Sequence, residues 1–200
     1  MPDFIPGLEL SRRFYAEAVR PLLDQHFPDL PHSAALIGPG SEVLRFDTAM
    51  STDHHWGPRV LLFLADQDHT RFAEPIREML AQLLPRTFLG YSTNFVRVPD
   101  EPVTMLLEEI GEGRVNHRVE VCTLHNFCVD TLGFDPLQGM TVADWLCTPQ
   151  QVLLTMVAGQ VFHDGLGTLQ PLRDRLAYYP DEVWRYILAA QWQRISQEEP

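Results

Sequence analysis

The sequence predicts an α/β fold of the α+β type: a mixed β-sheet flanked by helices, with a helical segment at its C-terminal end. Three observations lead there. Short apolar runs at residues 33–37 and 60–64 have the length and composition of buried strands. Residues 118–122 alternate at period two, as a strand with one open face does. Around these runs lie stretches with apolar residues at helical spacing, bounded by capping residues, glycine and proline.

Taken in order, residues 8–27 read as an amphipathic helix with Leu8, Phe14, Val19, Leu22 and Leu23 as its apolar set. Pro21 removes one backbone donor and is expected to kink or divide it. The strand 33–37 follows Pro31 and runs into the turn Gly38-Pro39-Gly40-Ser41. Residues 42–46 are read as one or two turns of helix and 47–57 as a polar loop. Pro58 then opens the strand 60–64, whose unbroken apolar run predicts a central position. Residues 66–69 are expected to turn, and Thr70 to cap a helix over 71–84. Residues 87–98 read as extended, and 100–113 as part helical with glycine breaks. Thr123 is a cap for a helix over 124–132 that Gly133 ends. Thr141 and Asp144 flank a short helix carrying Trp145. Thr148-Pro149 is expected to start a helix over 150–158. Residues 160–164 form a short strand and 168–178 a helix. A last amphipathic helix, capped by Asp181, carries Val183, Trp184, Ile187, Leu188 and Trp192. It has more apolar surface than the remaining chain can cover. It therefore folds back, joins a partner, or leads into a further helical domain; residues 181–195 are the expected contact for an oligomer or for such a domain.

Two hundred residues suit one domain, or one domain and the start of another. The division expected is a main domain over 1–178 and a helical region beginning at 179–200. The net charge of −12 and absence of any basic run argue against coating a nucleic acid. No apolar stretch approaches the ~20 residues that span a bilayer, and the first ten residues lack the features of a signal peptide. Three scattered cysteines, with no CxxC pair, fit a reduced cytoplasm. All fifteen basic residues are arginine. Lysine-dependent chemistry is thereby excluded: no Schiff base, no phosphate-loop lysine. An anionic substrate must be held by arginine, backbone N–H groups or a metal.

Transfer of a nucleotidyl group needs a small-residue turn that approaches a triphosphate and carboxylates that hold one or two Mg²⁺ ions. Gly40-Ser41 after an apolar strand, Asp53 beyond an eleven-residue spacer, and Glu120 between hydrophobic residues of a later strand supply candidates. The order hydrophobic-Gly-Ser, spacer, acid, distal acid resembles the nucleotidyltransferase superfamily that includes DNA polymerase beta and the antibiotic adenylyltransferases. Gly40, Ser41, Asp53 and Glu120 match its pattern position by position. A closer resemblance is to an uncharacterised bacterial family, domain of unknown function 4037. It is carried by residues 38–44, by Ser51-Thr52-Asp53-His54-His55-Trp56-Gly57-Pro58-Arg59, by Asp144-Trp145-Leu146, and by Tyr179-Pro180 with residues 192–195.

The resemblance implies an NTP-binding site at Gly40, Ser41 and Arg59. It implies Mg²⁺ or Mn²⁺ held by Asp53 and Glu120, the catalytic carboxylates; His55, beside Asp53 in the loop, is read as an assisting metal ligand. One departure stands out. The second carboxylate of the acid-x-acid pair falls at position 55, where this chain has histidine, a weaker match to Mg²⁺. Asp47 or Glu42 are the loop carboxylates able to compensate, and Arg59 either clamps phosphate or pairs with a loop carboxylate. Three functions follow: a metal-dependent nucleotidyltransferase acting on an unknown small-molecule or protein acceptor; a non-catalytic module of the same fold that binds a nucleotide or a partner protein; and a metal phosphohydrolase using the histidines, His163-Asp164 among them.

Overall fold

The computed structural model describes residues 4–53, 56–98 and 101–197, and the side chains of all these except 52, 53, 98 and 101–104. It is a mixed α/β structure built on a four-stranded sheet of order β7-β2-β1-β8. These strands are Ser33–Leu36 (β1), Arg59–Leu64 (β2), Arg118–Thr123 (β7) and Gln160–Asp164 (β8); Thr87–Phe88 (β3) and Tyr91–Ser92 (β4) pair with each other apart from this sheet. Strand β1 is antiparallel to both β2 and β8, whereas β2 and β7 run parallel. Helices cover both faces, which is why β1 and β2 are apolar along nearly their whole length.

The pleat divides β2 between two cores. Val60, Leu62 and Leu64 face the first core with Leu10, Phe14, Val19, Ile76 and Leu80. Those partners come from Gly7–Phe14 (α1), the turn that follows it, and Asp66–Leu83 (α3). Leu61 and Phe63 face the second core with Leu124, Leu153, Met156, Leu169 and Leu172. These come from Leu124–Leu132 (α4), Gln150–Val157 (α6) and Leu169–Leu176 (α7).

The N-terminal helix stays continuous past Pro21. A π-helical turn, Tyr15–Val19, joins α1 to Arg20–His26 (α2), and Arg20 N–H donates to the Tyr15 carbonyl. The widened turn absorbs the register that the proline ring and its missing donor disturb.

Four further expectations are corrected. Residues 66–69 are the first turn of α3, with Asp66 and Asp68 at the positive end of its dipole; Thr70 lies inside the helix and donates to the Asp66 carbonyl at 3.1 Å. The segment read as part helical is strand Glu101–Leu107 (β6), paired antiparallel with Phe95–Val98 (β5), because cross-strand packing outweighs the helical propensity of its Glu, Leu and Met. Residues 42–46 form turns and no regular helix, since Arg45 takes a positive φ of 61°. Thr148 ends Val142–Cys147 (α5), its hydroxyl donating to the Asp144 carbonyl at 2.6 Å, and Pro149 takes the cap position of α6. The paired Thr141–Asp144 cap of α5 and the Thr123 and Gly133 caps of α4 are present.

The last helix, Asp181–Gln197 (α8), buries Val183 and packs Ile187 against the second core. Trp184, Leu188, Trp192 and Ile195 remain exposed along it. Among the described residues, no helix is long and apolar enough to cross a membrane.

Candidate functional site

The parallel pairing of β2 with β7 sets the geometry of the site. It places Arg59 beside Arg118 and Leu61 beside Glu120. Alternation along each strand brings Arg59, Leu61, Arg118, Glu120 and Cys122 to one face of the sheet. They line a cavity of about 230 Å³, together with Pro39 from the turn after β1 and Phe127, Asp130 and Thr131 from α4.

Arg59 is held from one side. Its Nη2 pairs with Glu42 Oε1 and also donates to the Pro39 carbonyl at 3.4 Å. Glu42 is almost fully buried, so this is an internal ion pair. Arg59 Nε is buried and has no hydrogen-bond partner. Gly40 makes room for the pair: it sits at φ +151°, and a Cβ there would stand 2.6 Å from Glu42 Oε2 and 2.8 Å from Arg59 Nη2. Ser41 is exposed, and its carbonyl accepts the Phe46 N–H at 2.9 Å.

Arg118 is different. It is half-buried, and its guanidinium makes no ion pair or hydrogen bond with a described residue. Burial, and then the neighbouring Arg59 charge, push its pKa down; Glu120 opposes them. Glu120 is exposed on an edge strand, with its carboxylate side on the cavity wall. Burial, helped by the Glu120 charge, raises the Cys122 thiol to about 12, which removes it as a nucleophile at neutral pH.

Other parts of the predicted constellation are engaged in packing. Asp47 Oδ2 accepts the Gly7 N–H at 2.6 Å and the Trp56 indole N–H at 3.0 Å. Both loop carboxylates named as substitutes for the residue-55 position are thus committed, Asp47 here and Glu42 to Arg59. Trp56 is buried, stacked on Phe4 and edge-on to Tyr91. Gly57 takes φ +143°, and a Cβ there would meet Leu107 and Phe95 at 2.9 Å. Within Trp56-Gly57-Pro58-Arg59, only the arginine lines the cavity.

Asp53 ends a 3₁₀ turn, Ala49–Asp53; its side chain, like His54 and His55 entirely, lies outside the described residues. The shared site expected of Asp53, His55 and Glu120 is therefore described only at Glu120 and at the Asp53 backbone. Among the described residues, no three His, Cys, Asp or Glu side chains converge as a metal cage. Asp164, in the His163-Asp164 pair, serves a structural role. It accepts the Ser33 hydroxyl at 2.7 Å and the N–H groups of Thr168, Leu169 and Gln170, which caps α7. Burial raises its pKa, but these donors together hold it below the usual carboxylate range.

Beyond the cleft, the helices α5 to α8 carry the segment that decides the comparison with known proteins. Residues 145–200 match the family model described as Domain of unknown function (DUF4037). The DUF4037 match begins at Trp145, which is buried against Tyr179, and runs through α8. It covers just over a quarter of the 200-residue chain. The cavity-lining residues lie on the N-terminal side of that segment. No curated protein and no solved structure matches the chain.

Arg59 and Glu120, both named from the sequence, line this cavity, and the loop carboxylate offered as the alternative partner of Arg59 is Glu42; Arg118 was not singled out. Arg118 was visible as the first residue of a period-two run. Its place beside Arg59 depends on strand pairing, for which the local sequence carries no signal.

Proposed function

We propose that this chain is a nucleotidyltransferase-like protein that binds an NTP at the cleft and transfers its nucleotidyl group to a hydroxyl on a small-molecule or protein acceptor. One observation carries the reading. Arg59 and Glu120, far apart in sequence and chosen as a phosphate ligand and a metal ligand, line the same cavity as Pro39 of the Gly-Pro-Gly-Ser turn. Arg59 orients the phosphates, and Glu42 holds the guanidinium in place for that task. Mg²⁺ or Mn²⁺, when bound, would neutralise the phosphates, with Asp53, His55 and Glu120 as its proposed ligands. Among the described residues, the side chains do not by themselves form a cage for it.

Thermal melting with each NTP and Mg²⁺ or Mn²⁺ tests this. A ligand at about a hundred times its Kd stabilises by ~2.7 kcal/mol, or roughly 5–10 °C in a chain of this size. Asp53→Ala should abolish the shift. If no NTP–metal pair moves the melting point, the transferase reading fails.

A second reading, a non-catalytic module that binds a nucleotide or a partner protein, is favoured by the commitment of Glu42 and Asp47 to structural partners and by His55 itself. It predicts a nucleotide shift that survives both EDTA and Asp53→Ala, without transfer. The phosphohydrolase reading loses its second element, because Asp164 is occupied as a helix cap.

A further inference from the structure

We propose that Arg118, side by side with Arg59 on the floor of the cleft, forms a metal-independent site for a phosphate or pyrophosphate group. This deepens the nucleotide reading and rests on it for the source of the phosphate, but it needs neither Asp53 nor a metal.

Register makes the pair. Arg59 and Arg118 are direct partners on parallel strands, which lie about 4.8 Å apart. Both side chains line the same cavity. Two guanidiniums rooted at that spacing can reach different oxygens of one phosphate, and the planar fork suits that bidentate contact.

Charge leaves a place for an anion. Glu42 serves Arg59, and no described carboxylate forms an ion pair with Arg118, although the chain carries 27 acidic residues. A half-buried cation beside another cation is unfavourable until a counter-ion arrives. The buried Arg59 Nε is a second unmet need, a donor with no acceptor. The cavity's 230 Å³ is below the ~300–1,000 Å³ of sites that enclose a drug-sized ligand. It therefore suits a phosphate or pyrophosphate, with any nucleoside lying outside.

Glu120 and Asp130 also line the cavity and repel an anion. This gives the proposal a signature opposite to that of a metal site. Glu120→Gln should tighten metal-free phosphate binding several-fold, whereas loss of a metal ligand would weaken the NTP–metal response.

The test is calorimetric titration of the whole chain with inorganic phosphate and pyrophosphate in EDTA, at low and high salt. Pyrophosphate should bind saturably and more weakly as salt rises. Arg118→Met should weaken it about tenfold or more. Arg118→Lys should recover part of that loss, and Asp53→Ala should leave binding unchanged. Arg118→Met should fold as stably as the parent, because an apolar chain of similar length replaces a half-buried cation that makes no ion pair with a described residue. Metal-free NTP binding tighter than pyrophosphate assigns the group to a nucleotide; equal binding assigns it to free pyrophosphate. No binding in EDTA, or undiminished binding by Arg118→Met, overturns the site. If pyrophosphate binds but Asp53→Ala leaves the NTP–metal shift intact, the transfer chemistry fails and the anion site stands.

Discussion

Removing Arg59 and removing Arg118 should affect folding very differently, although the two residues are neighbours of the same type. Arg59→Met strands the buried Glu42 carboxylate, and breaking a buried pair from one side costs ~3–5 kcal/mol. Urea denaturation of both variants reads this directly; equal midpoints would show that the Glu42 pair has no special role. Two buried histidines contribute to the loss of stability in mild acid. His32 donates from Nδ1 to the Leu30 carbonyl at 3.1 Å, and its Nε2 pairs with the Tyr15 hydroxyl at 2.9 Å. His117 accepts the Val119 N–H at Nδ1 (3.1 Å) and donates from Nε2 to the Arg77 carbonyl (3.1 Å). Burial lowers both pKa values below the ordinary 6.5, outweighing the carbonyl bonds that raise them. The unfolded chain then binds more protons. The stability these rings contribute is complete above about pH 6.5 and is lost as pH falls through 6.5 toward their folded values. Melting points taken between pH 7.5 and 5 should show a smaller acid loss in His117→Asn than in the parent. Comparison with the parent cancels the relief of charge repulsion as the net charge falls. Identical slopes would remove His117 from the account.

Between elements, the junction at Trp56 and Gly57 joins three parts of the chain. Trp56 reaches Asp47, Asp47 reaches Gly7 at the start of α1, and Gly57 lies against Phe95 of β5 and Leu107 of β6. Gly57→Ala forces a side chain into φ +143° and against both neighbours. It should cost about 1–3 kcal/mol from the backbone alone, read as a lower unfolding midpoint. An unchanged midpoint would mean that the hairpin shifts freely and does not brace the loop. The π turn before Pro21 is a second joint of this kind. It lets one helix keep Phe14 and Leu23 in the same core despite the proline.

At the scale of the molecule, two cores sandwich one sheet, and the cleft opens on the second-core face where β2 and β7 start. An arginine pair stands there in a chain of net charge −12 and pI about 5.0. Anionic ligands therefore approach against the overall field and are drawn in only close to the cleft, which predicts association rates that rise with salt even as affinity falls. Stopped-flow binding of pyrophosphate at two salt concentrations checks this; a rate that falls with salt would place the ligand on a more basic surface. Near pH 5 the net charge vanishes and self-association should peak. Light scattering across pH 4–8 tests that, and a maximum well away from the pI would point to specific apolar contact, for which the exposed Trp184, Leu188 and Trp192 of α8 are the available surface.

The sequence by itself determined the mixed α/β class, the four strands of the main sheet and the caps of α4 and α5, because burial on two faces and the need to satisfy helix ends are written into local composition; the N-terminal caps read at Thr70, Thr148 and Asp181 are not the caps of those helices, Asp181 being the first residue of α8 itself. It also determined that arginine must do all cationic work. The tertiary structure alone decided where that work is available. It showed that Gly40 serves an internal ion pair, that Asp47 and Asp164 are structural acceptors, and that Trp56 and Gly57 belong to packing. It turned a part-helical reading of residues 100–113 into a strand, because pairing with β5 is a long-range contact that local propensity does not encode. It also placed Arg118 next to Arg59. Parallel pairing joins strands through long crossovers, so which residues become neighbours depends on register across the whole fold and not on spacing along the chain.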